Sequence, residues 1–237
     1  MYDFARLMQI AGVSFAVLGP DEACTGDPAR RMGAEHIYQV LAEQNIRTLN
    51  AAKPKKIVTV CPHCFNTILN EYPQFGGNFD VIHHTEYLAQ LVAAGKLAPQ
   101  GEINETVTYH DPCYNVRHND VWKGARAVVE SIPGARYKEL HRHGHSTFCC
   151  GAGGGRMWME ERMGKKMNTE RTDEALASAS DTLAVGCPYC NIMLSDGVTE
   201  RAAGEQMAVK DIAQILLQSV ELDSPSQQTT RDGKGSV

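Results

Sequence analysis

Long apolar runs are missing from this chain of 237 residues. Its longest stretches, such as Val13 to Leu18 and Ile57 to Val60, fall far short of the ~20 residues that cross a bilayer, which excludes a membrane-spanning helix. Basic runs are missing too. With 23 Lys+Arg against 28 Asp+Glu and a net charge of −5, the chain lacks the concentrated positive surface that phosphate binding needs, which excludes nucleic acid as the main partner. Residues 1–18 carry Asp3 and Arg6 early, with no basic stretch ahead of an apolar one. No secretory signal is read there, and the expected location is the cytoplasm. The tightly spaced C-x-x-C-x-x-C run of common ferredoxins is also absent. What remains, 43% hydrophobic and 22% charged residues, is ordinary for a soluble folded protein and long enough for one large or two small domains.

Cysteine is the exception. The eight cysteines, at 24, 61, 64, 113, 149, 150, 187 and 190, would be thiols in a reducing compartment unless metal or catalysis uses them. Three of them recur at one spacing (150 − 24 = 187 − 61 = 190 − 64 = 126). Pro62 and Pro188 share it, as do Arg30 and Arg156, Glu35 and Glu161, and the expected helix caps Thr85 and Asp211. A register kept over roughly 60 residues marks an internal duplication.

Each half reads as alternating helix and strand. In the first, Asp3–Ala11 is helical, Val13–Leu18 a strand, Arg30–Leu49 a helix, Lys56–Val60 a strand ending at Cys61-Pro62-His63-Cys64, Phe65–Glu71 helical and Phe79–Ile82 a strand; Thr85 caps a helix to about Lys96. In the second, Thr106–Tyr109 is a strand ending at Cys113, Val121–Ile132 a helix and Tyr137–Leu140 a strand. Cys149-Cys150-Gly151 then opens a turn into a helix from Arg156 to about Ala177, Thr182–Val185 is a strand ending at Cys187-Pro188-Tyr189-Cys190, and Asp211 starts the last helix. The expected fold is α/β: two duplicated Rossmann-like lobes with short, mostly parallel sheets and the cysteine motifs in the strand-to-helix turns. Residues 1–98 form the first domain, 99–105 a linker, 106–222 the second domain and 223–237 a disordered tail.

Parallel α/β sheets bind ligands beyond the carboxyl ends of their strands, where helix N-termini also favour thiolate. The second half brings five thiols there, Cys113, Cys149, Cys150, Cys187 and Cys190. Zinc takes four ligands, so a fifth thiol and a vicinal pair suit a multi-iron centre better. The glycines of Gly151-Ala-Gly153 suit close backbone approach to such a centre, and His110 and Asp111 are placed to hydrogen-bond it. The first half keeps only Cys24, Cys61 and Cys64. Ala23 stands at the position of Cys149, and the counterpart of Cys113 falls before the first residue (113 − 126 = −13), so the chain is expected to begin part-way into its first domain. His63 and Asp27 are candidate fourth ligands there, with a solvent-facing role preferred. For His83 and His84 an ordinary strand-end role is at least as well supported as lining the site, and for His141, His143 and His145 a solvated strand face is preferred.

Thr108-Tyr-His-Asp-Pro-Cys113-Tyr114, Phe148-Cys-Cys-Gly-Ala-Gly-Gly-Gly155, Cys61-Pro-His-Cys64-Phe-Asn-Thr67 and Cys187-Pro-Tyr-Cys190 together resemble the CCG domains found in the cysteine-rich subunit of heterodisulfide reductase and in related iron-sulfur oxidoreductases. The likeness covers about residues 1–220 and is nearest to a bacterial branch proposed to work between electron-transferring flavoprotein and menaquinone. The glycolate oxidase iron-sulfur subunit is a more distant relative. The resemblance implies a noncubane 4Fe-4S cluster on the five second-half cysteines, and a second cluster or zinc on Cys24, Cys61 and Cys64. It also implies electron relay or disulfide cleavage, and a redox partner such as electron-transferring flavoprotein. Quinone would be reached only through a membrane part not contained in this chain, at the cytoplasmic face of the inner membrane. Two other classes stay open. Cys-Pro-His-Cys and Cys-Pro-Tyr-Cys are dithiol sequences of thiol-disulfide oxidoreductases, and a zinc-stabilised scaffold would leave a surplus thiol.

Overall fold

The computed structural model describes residues 2–221. The first half runs α1 (Tyr2–Ile10), α2 (Asp27–Arg31), α3 (Glu35–Ala52), β1 (Ile57–Thr59), α4 (Pro62–Asn66), β2 (Val81–His83) and α5 (His84–Ala93). The second runs β3 (Thr106–His110), α6 (Cys113–Asn119), α7 (Lys123–Glu130), β4 (Arg136–Tyr137), α8 (Met167–Leu176), β5 (Thr182–Val185), α9 (Pro188–Glu200), β6 (Ala208–Asp211) and α10 (Ile212–Glu221). Strands separated by helical crossovers pair parallel, and every pairing here is parallel: β1-β2 in the first lobe and β4-β3-β5-β6 in the second. The chain is therefore an α/β fold in two lobes, as its patterning predicts.

The lobes share a core. Leu7 and Met8 of α1 and Leu88 and Leu91 of α5 are buried in one cluster with Val128 and Val129 of α7 and Ile212, Ile215 and Leu216 of α10. At roughly 1.5–3 kcal/mol for each fully buried large aliphatic, this cluster welds the halves and fixes the angle at which their cysteine turns face each other. Segment 99–105 joins in, with the Gly101 N–H donating to the Ser219 carbonyl and the Ile103 N–H to the Pro133 carbonyl, both at 2.9 Å.

The duplication is closest at the two Cys-Pro-x-Cys turns. Cys61 and Cys187 both precede a helix in extended conformation with proline as its first residue, and the N–H groups of Phe65 and Asn191 close the first turn onto their carbonyls at 2.9 Å. Beyond the turns the register slips by two. Thr59 pairs with His83 whereas Val185 pairs with Asp211, so the counterpart of Asp211 is His83 (211 − 83 = 128). The expected cap pair is thus half right. Asp211 accepts the Ala213 N–H at 2.9 Å, but Thr85 lies inside the first turn of α5, where its hydroxyl meets His83 Nδ1 at 2.8 Å.

Several expected elements differ. Val13–Leu18 forms no strand: no strand lies beside it among the described residues, and Val17 is 72% exposed. The Arg30–Leu49 helix is broken after α2 by Gly33, whose φ of 83° leaves the helical region. The Arg156–Ala177 helix is real only as α8. Before it come a single 3-10 turn at Arg156–Trp158 and an irregular stretch containing Gly164 at φ 73°, and Glu161 accepts the Met167 N–H at 3.1 Å to start α8 afresh. Phe65–Glu71 is split between α4 and a π-turn at Thr67–Glu71, the Tyr137–Leu140 strand shrinks to the two residues of β4, and β6 is a strand that patterning did not reveal. The expected disordered tail lies outside the described residues.

Candidate metal centre

Strands β1, β3 and β5 each deliver cysteine at the carboxyl end, and the shared core turns these ends toward one another. Cys113 opens α6 after Pro112, Cys61 and Cys64 flank the start of α4, and Cys187 and Cys190 flank the start of α9. Cys149 and Cys150 lie in the loop before Gly151, whose φ of 91° and close approach to Met167 Cβ (2.9 Å from an added Cβ) exclude a side chain there.

The thiols form an unbroken line. Cys149 neighbours Cys113 and Cys150, Cys190 neighbours Cys150 and Cys187, and Cys61 neighbours Cys187 and Cys64. Seven of the eight cysteines are thus linked sulfur to sulfur, and Cys187 joins the halves. Cys24 sits at the rim, exposed, its sulfur accepting the Gly26 N–H at 3.5 Å, while its neighbour Thr25 donates to Cys64 Sγ at 3.6 Å. Gly151 gives its N–H to Cys149 Sγ at 3.3 Å. Gly153, its companion in the glycine-rich turn, faces the His63 ring instead, 3.8 Å from where a Cβ would stand.

Crowded sulfurs cannot all be anionic without counter-charge. The Cys113 and Cys150 thiols and the Gly151 N–H hold Cys149 down to about 2. Burial works to raise Cys187, but donation from Cys190 and Cys61 overrides it and brings it to about 5. The others are pushed up: Cys61 and Cys150 to about 12, each chiefly by donating to a neighbouring sulfur, and Cys113, Cys64 and Cys190 in the same direction for the same reason. Cationic iron would supply the counter-charge that lets these sulfurs stand together as thiolates. A line of seven exceeds the four ligands of one zinc ion. The donor set therefore fits an iron-sulfur group.

A small cleft of about 180 Å³ bordered by Cys149, Gly151, Gly153, Arg156, Glu161 and Met167 opens onto this line. Beneath it, His110 ends β3 fully buried; a ring nitrogen lies within 4.8 Å of the sulfurs of Cys150 and Cys190, and Nε2 has no protein partner. Asp111 is committed elsewhere: its carboxylate receives both terminal nitrogens of Arg126 at 2.8 Å and the Gly144 N–H at 2.7 Å.

His63 and Asp27, expected to face solvent, are buried. His63 Nδ1 meets Asp27 Oδ2 at 2.8 Å, and the imidazole lies between Tyr114, at 4.1 Å between ring centres, and Tyr189, at 5.3 Å. Asp27 also takes Arg31 Nε at 3.0 Å, and Glu71 gathers Arg30, Arg31 and Asn66. Burial alone would raise the Asp27 carboxyl; His63 and Arg31 outweigh it and hold the group low. One signal for this network was present in the sequence: at the 126-residue spacing Asp27 faces Gly153, His63 faces Tyr189 and Glu71 faces Gly197, so the repeats differ in polarity at each of these three positions. His83 and His84 are also buried, His83 Nδ1 accepting from Asn115 at 2.9 Å and His84 Nε2 meeting Asp211 at 3.2 Å. His143 bonds the Leu140 carbonyl at 2.7 Å and His145 meets Asp120 at 3.0 Å, around a 3-10 turn and not a strand face.

Comparison with known proteins gives the same outline. The cysteine-rich domain CCG matches residues 2–69 and 107–195. The probable iron-sulfur-binding oxidoreductase FadF of Bacillus subtilis is 48% identical over 217 residues, covering 92% of this chain and 31% of that protein. The EtfAB:quinone oxidoreductase of Syntrophomonas wolfei is 44% identical over 223 residues, 91% of this chain and 31% of its own length. The dihydromethanophenazine:CoB–CoM heterodisulfide reductase of Methanosarcina barkeri has a subunit 34% identical over 226 residues, 93% of this chain and 55% of that polypeptide. The chain thus spans about a third of the first two relatives and about half of the third.

Proposed function

Because this chain belongs to the CCG family of cysteine-rich domains, we propose that it is the iron-sulfur portion of an oxidoreductase, relaying electrons one at a time between a redox partner and the rest of a longer enzyme. The observation that carries this reading is the unbroken line of seven thiols crossing both lobes. Cys113, Cys149, Cys150, Cys187 and Cys190 hold a noncubane 4Fe-4S cluster in the second domain, 106–222. Cys61 and Cys64, with Cys24 at the rim, serve a second centre in the first domain, 1–98. When bound, the iron-sulfur group supplies one-electron capacity at a potential set by its surroundings.

The chain's residues set those surroundings. Cys187 and Cys190, 1% and 4% exposed, and buried Cys150 keep water from the sulfurs, while Cys149 lies at the cleft through which a partner's electron arrives. The Gly151 N–H and the positive ends of the short helices favour thiolate over thiol. Similarity to a protein named for EtfAB and quinone supports an electron-transferring flavoprotein as donor and quinone as the distant acceptor. No helix among the described residues is long and apolar enough to cross a membrane. Thiol-disulfide exchange fits less well at the second turn, where the burial of Cys187 and Cys190 leaves an attacking thiol no approach.

Anaerobic assembly of the chain with iron and sulfide tests this. The expected product is brown, carries acid-labile sulfide, and loses its second-domain absorption in Cys150→Ser. A colourless protein holding stoichiometric zinc, or a Cys150→Ser variant with unchanged iron, overturns it.

A further inference from the structure

Buried His110 has two ring nitrogens with different neighbours. Arg171 Nε donates to Nδ1 at 3.0 Å. Arg171 is itself fully buried and cannot swing away, because its Nη1 donates to the Arg142 carbonyl at 2.9 Å and pairs with Glu174 at 3.0 Å. A guanidinium only donates, so Nδ1 must present its lone pair, and the neutral ring carries its proton on Nε2. That leaves Nε2–H, which has no protein partner, as the ring N–H free to reach sulfur, in a ring of which one nitrogen lies within 4.8 Å of the sulfurs of Cys150 and Cys190. Ligation of a metal through Nε2 would move the proton to Nδ1 and set it against the Arg171 N–H, donor against donor.

We infer that Arg171 is a positioning residue that locks His110 in its Nε2–H tautomer, making His110 a hydrogen-bond donor to the sulfur of the bound group and not one of its ligands. This rests on the iron-sulfur reading above. An N–H donor backed by a buried cation stabilises the more negative, reduced state and so raises the midpoint potential. The 126-residue spacing puts Asn45 at the position of Arg171, and Asn45 donates to the Cys24 carbonyl at 2.9 Å instead. The lock therefore belongs to the second-lobe centre.

The test compares the anaerobically loaded full chain with His110→Phe, His110→Gln and Arg171→Gln, reading iron per chain, midpoint potential by EPR-monitored titration, and the nitrogen coupling of histidine-labelled protein by pulsed EPR. Expected are unchanged iron throughout, a midpoint lowered in His110→Phe and restored toward wild type in His110→Gln, whose amide N–H reaches the same point, and a weak histidine coupling typical of a hydrogen bond that changes in Arg171→Gln. Loss of iron in both His110 variants, a strong coupling of direct ligation, or a His110→Phe midpoint equal to wild type overturns the inference. If His110→Phe does not fold, the His110→Gln iron content and the wild-type coupling decide. A wild-type chain that takes up no iron fails the underlying reading instead, and is distinguished by its lack of colour.

Discussion

The two Cys-Pro-x-Cys turns share one backbone and are embedded in opposite ways. Around Cys61 and Cys64 the supports are polar and charged: buried Asp27, His63 and Glu71 are tied together by hydrogen bonds to Arg31, which itself reaches solvent. Around Cys187 and Cys190 the positions at the same spacing are Gly153, Met157, Tyr189 and Gly197, and the turn is held by packing with Leu183, Val185, Leu194 and Met207. The duplication has kept what places sulfur, namely strand end, proline and helix start, and has exchanged the rest. A buried charge network and an apolar core of similar volume can be equally stable, but they fail differently: removing one charge strands its partners in low dielectric, whereas removing one methyl leaves only a cavity.

That difference gives the largest expected effect on stability. Glu71→Ala leaves the partly solvated Arg30 and Arg31 without their shared carboxylate and buried Asn66 without its acceptor and should cost about 1.5–3 kcal/mol, the range for hydrogen bonds to a charged group. At the matched position Gly197→Ala presses a Cβ against the Thr172 side chain and should cost about 1–3 kcal/mol by overpacking. Urea unfolding of the metal-free chain measures both. A Glu71→Ala chain as stable as the parent would mean that the charged network does not carry the first turn.

Acid offers a second way to sharpen the contrast. A histidine is the last residue of a strand in each half, His83 of β2 and His110 of β3, and burial pushes both well below the usual histidine range. The unfolded chain takes up these protons near pH 6.5 while the folded chain does not. The histidine contribution is therefore complete above about 6.5 and falls as pH drops below it, by about 1.4 kcal/mol per pH unit for each histidine. Between pH 6.5 and 5.5 ordinary carboxylates are still ionised, so the slope in metal-free protein reports the histidines together with Cys149 and Cys187, which are thiolate in the fold and thiol in the unfolded chain. His83→Gln should lower the slope by about 1.4 kcal/mol per pH unit and leave the other shares in place; a slope unchanged by His83→Gln would show that its proton is not excluded in the fold.

How much of this was legible in the sequence follows from the range of the interaction involved. Strand β5, Thr182–Val185, could be read residue for residue because four consecutive apolar-compatible positions end at Cys187-Pro188. The strand-end placement of Cys61, Cys113 and Cys187 came from the same local pattern, whereas Cys24 and the Cys149-Cys150 pair lie in loops that follow no such strand end. The two-residue slip between His83 and Asp211 could not be read, since it depends on pairing with β1 and β5. The break of the long helix before α8 rests on Glu161 reaching the Met167 N–H, and the joining of both sites through Cys61 and Cys187 rests on a core shared between distant helices. Burial of His63 and Asp27 runs against the sequence expectation for a related reason: polar residues are exposed by default, and only their mutual bond makes burial tolerable.

The smallest effect is expected at an ion pair the duplication preserved in both halves. Arg30 faces Glu35 at 3.5 Å and Arg156 faces Glu161 at 2.5 Å. Arg30 is mainly committed to Glu71, at 2.9 Å, so little coupling is left for Glu35. Arg156 has no competing acid among the described ion pairs, and its partner is fixed by accepting the Met167 N–H at 3.1 Å. Double-mutant cycles in urea should therefore give a larger coupling for Arg156 with Glu161 than for Arg30 with Glu35, both within about 0.2–1 kcal/mol because the pairs are partly solvated. The reverse order would mean that Glu71 does not hold Arg30 as drawn, and the contrast between a charged first turn and a packed second one would lose its anchor.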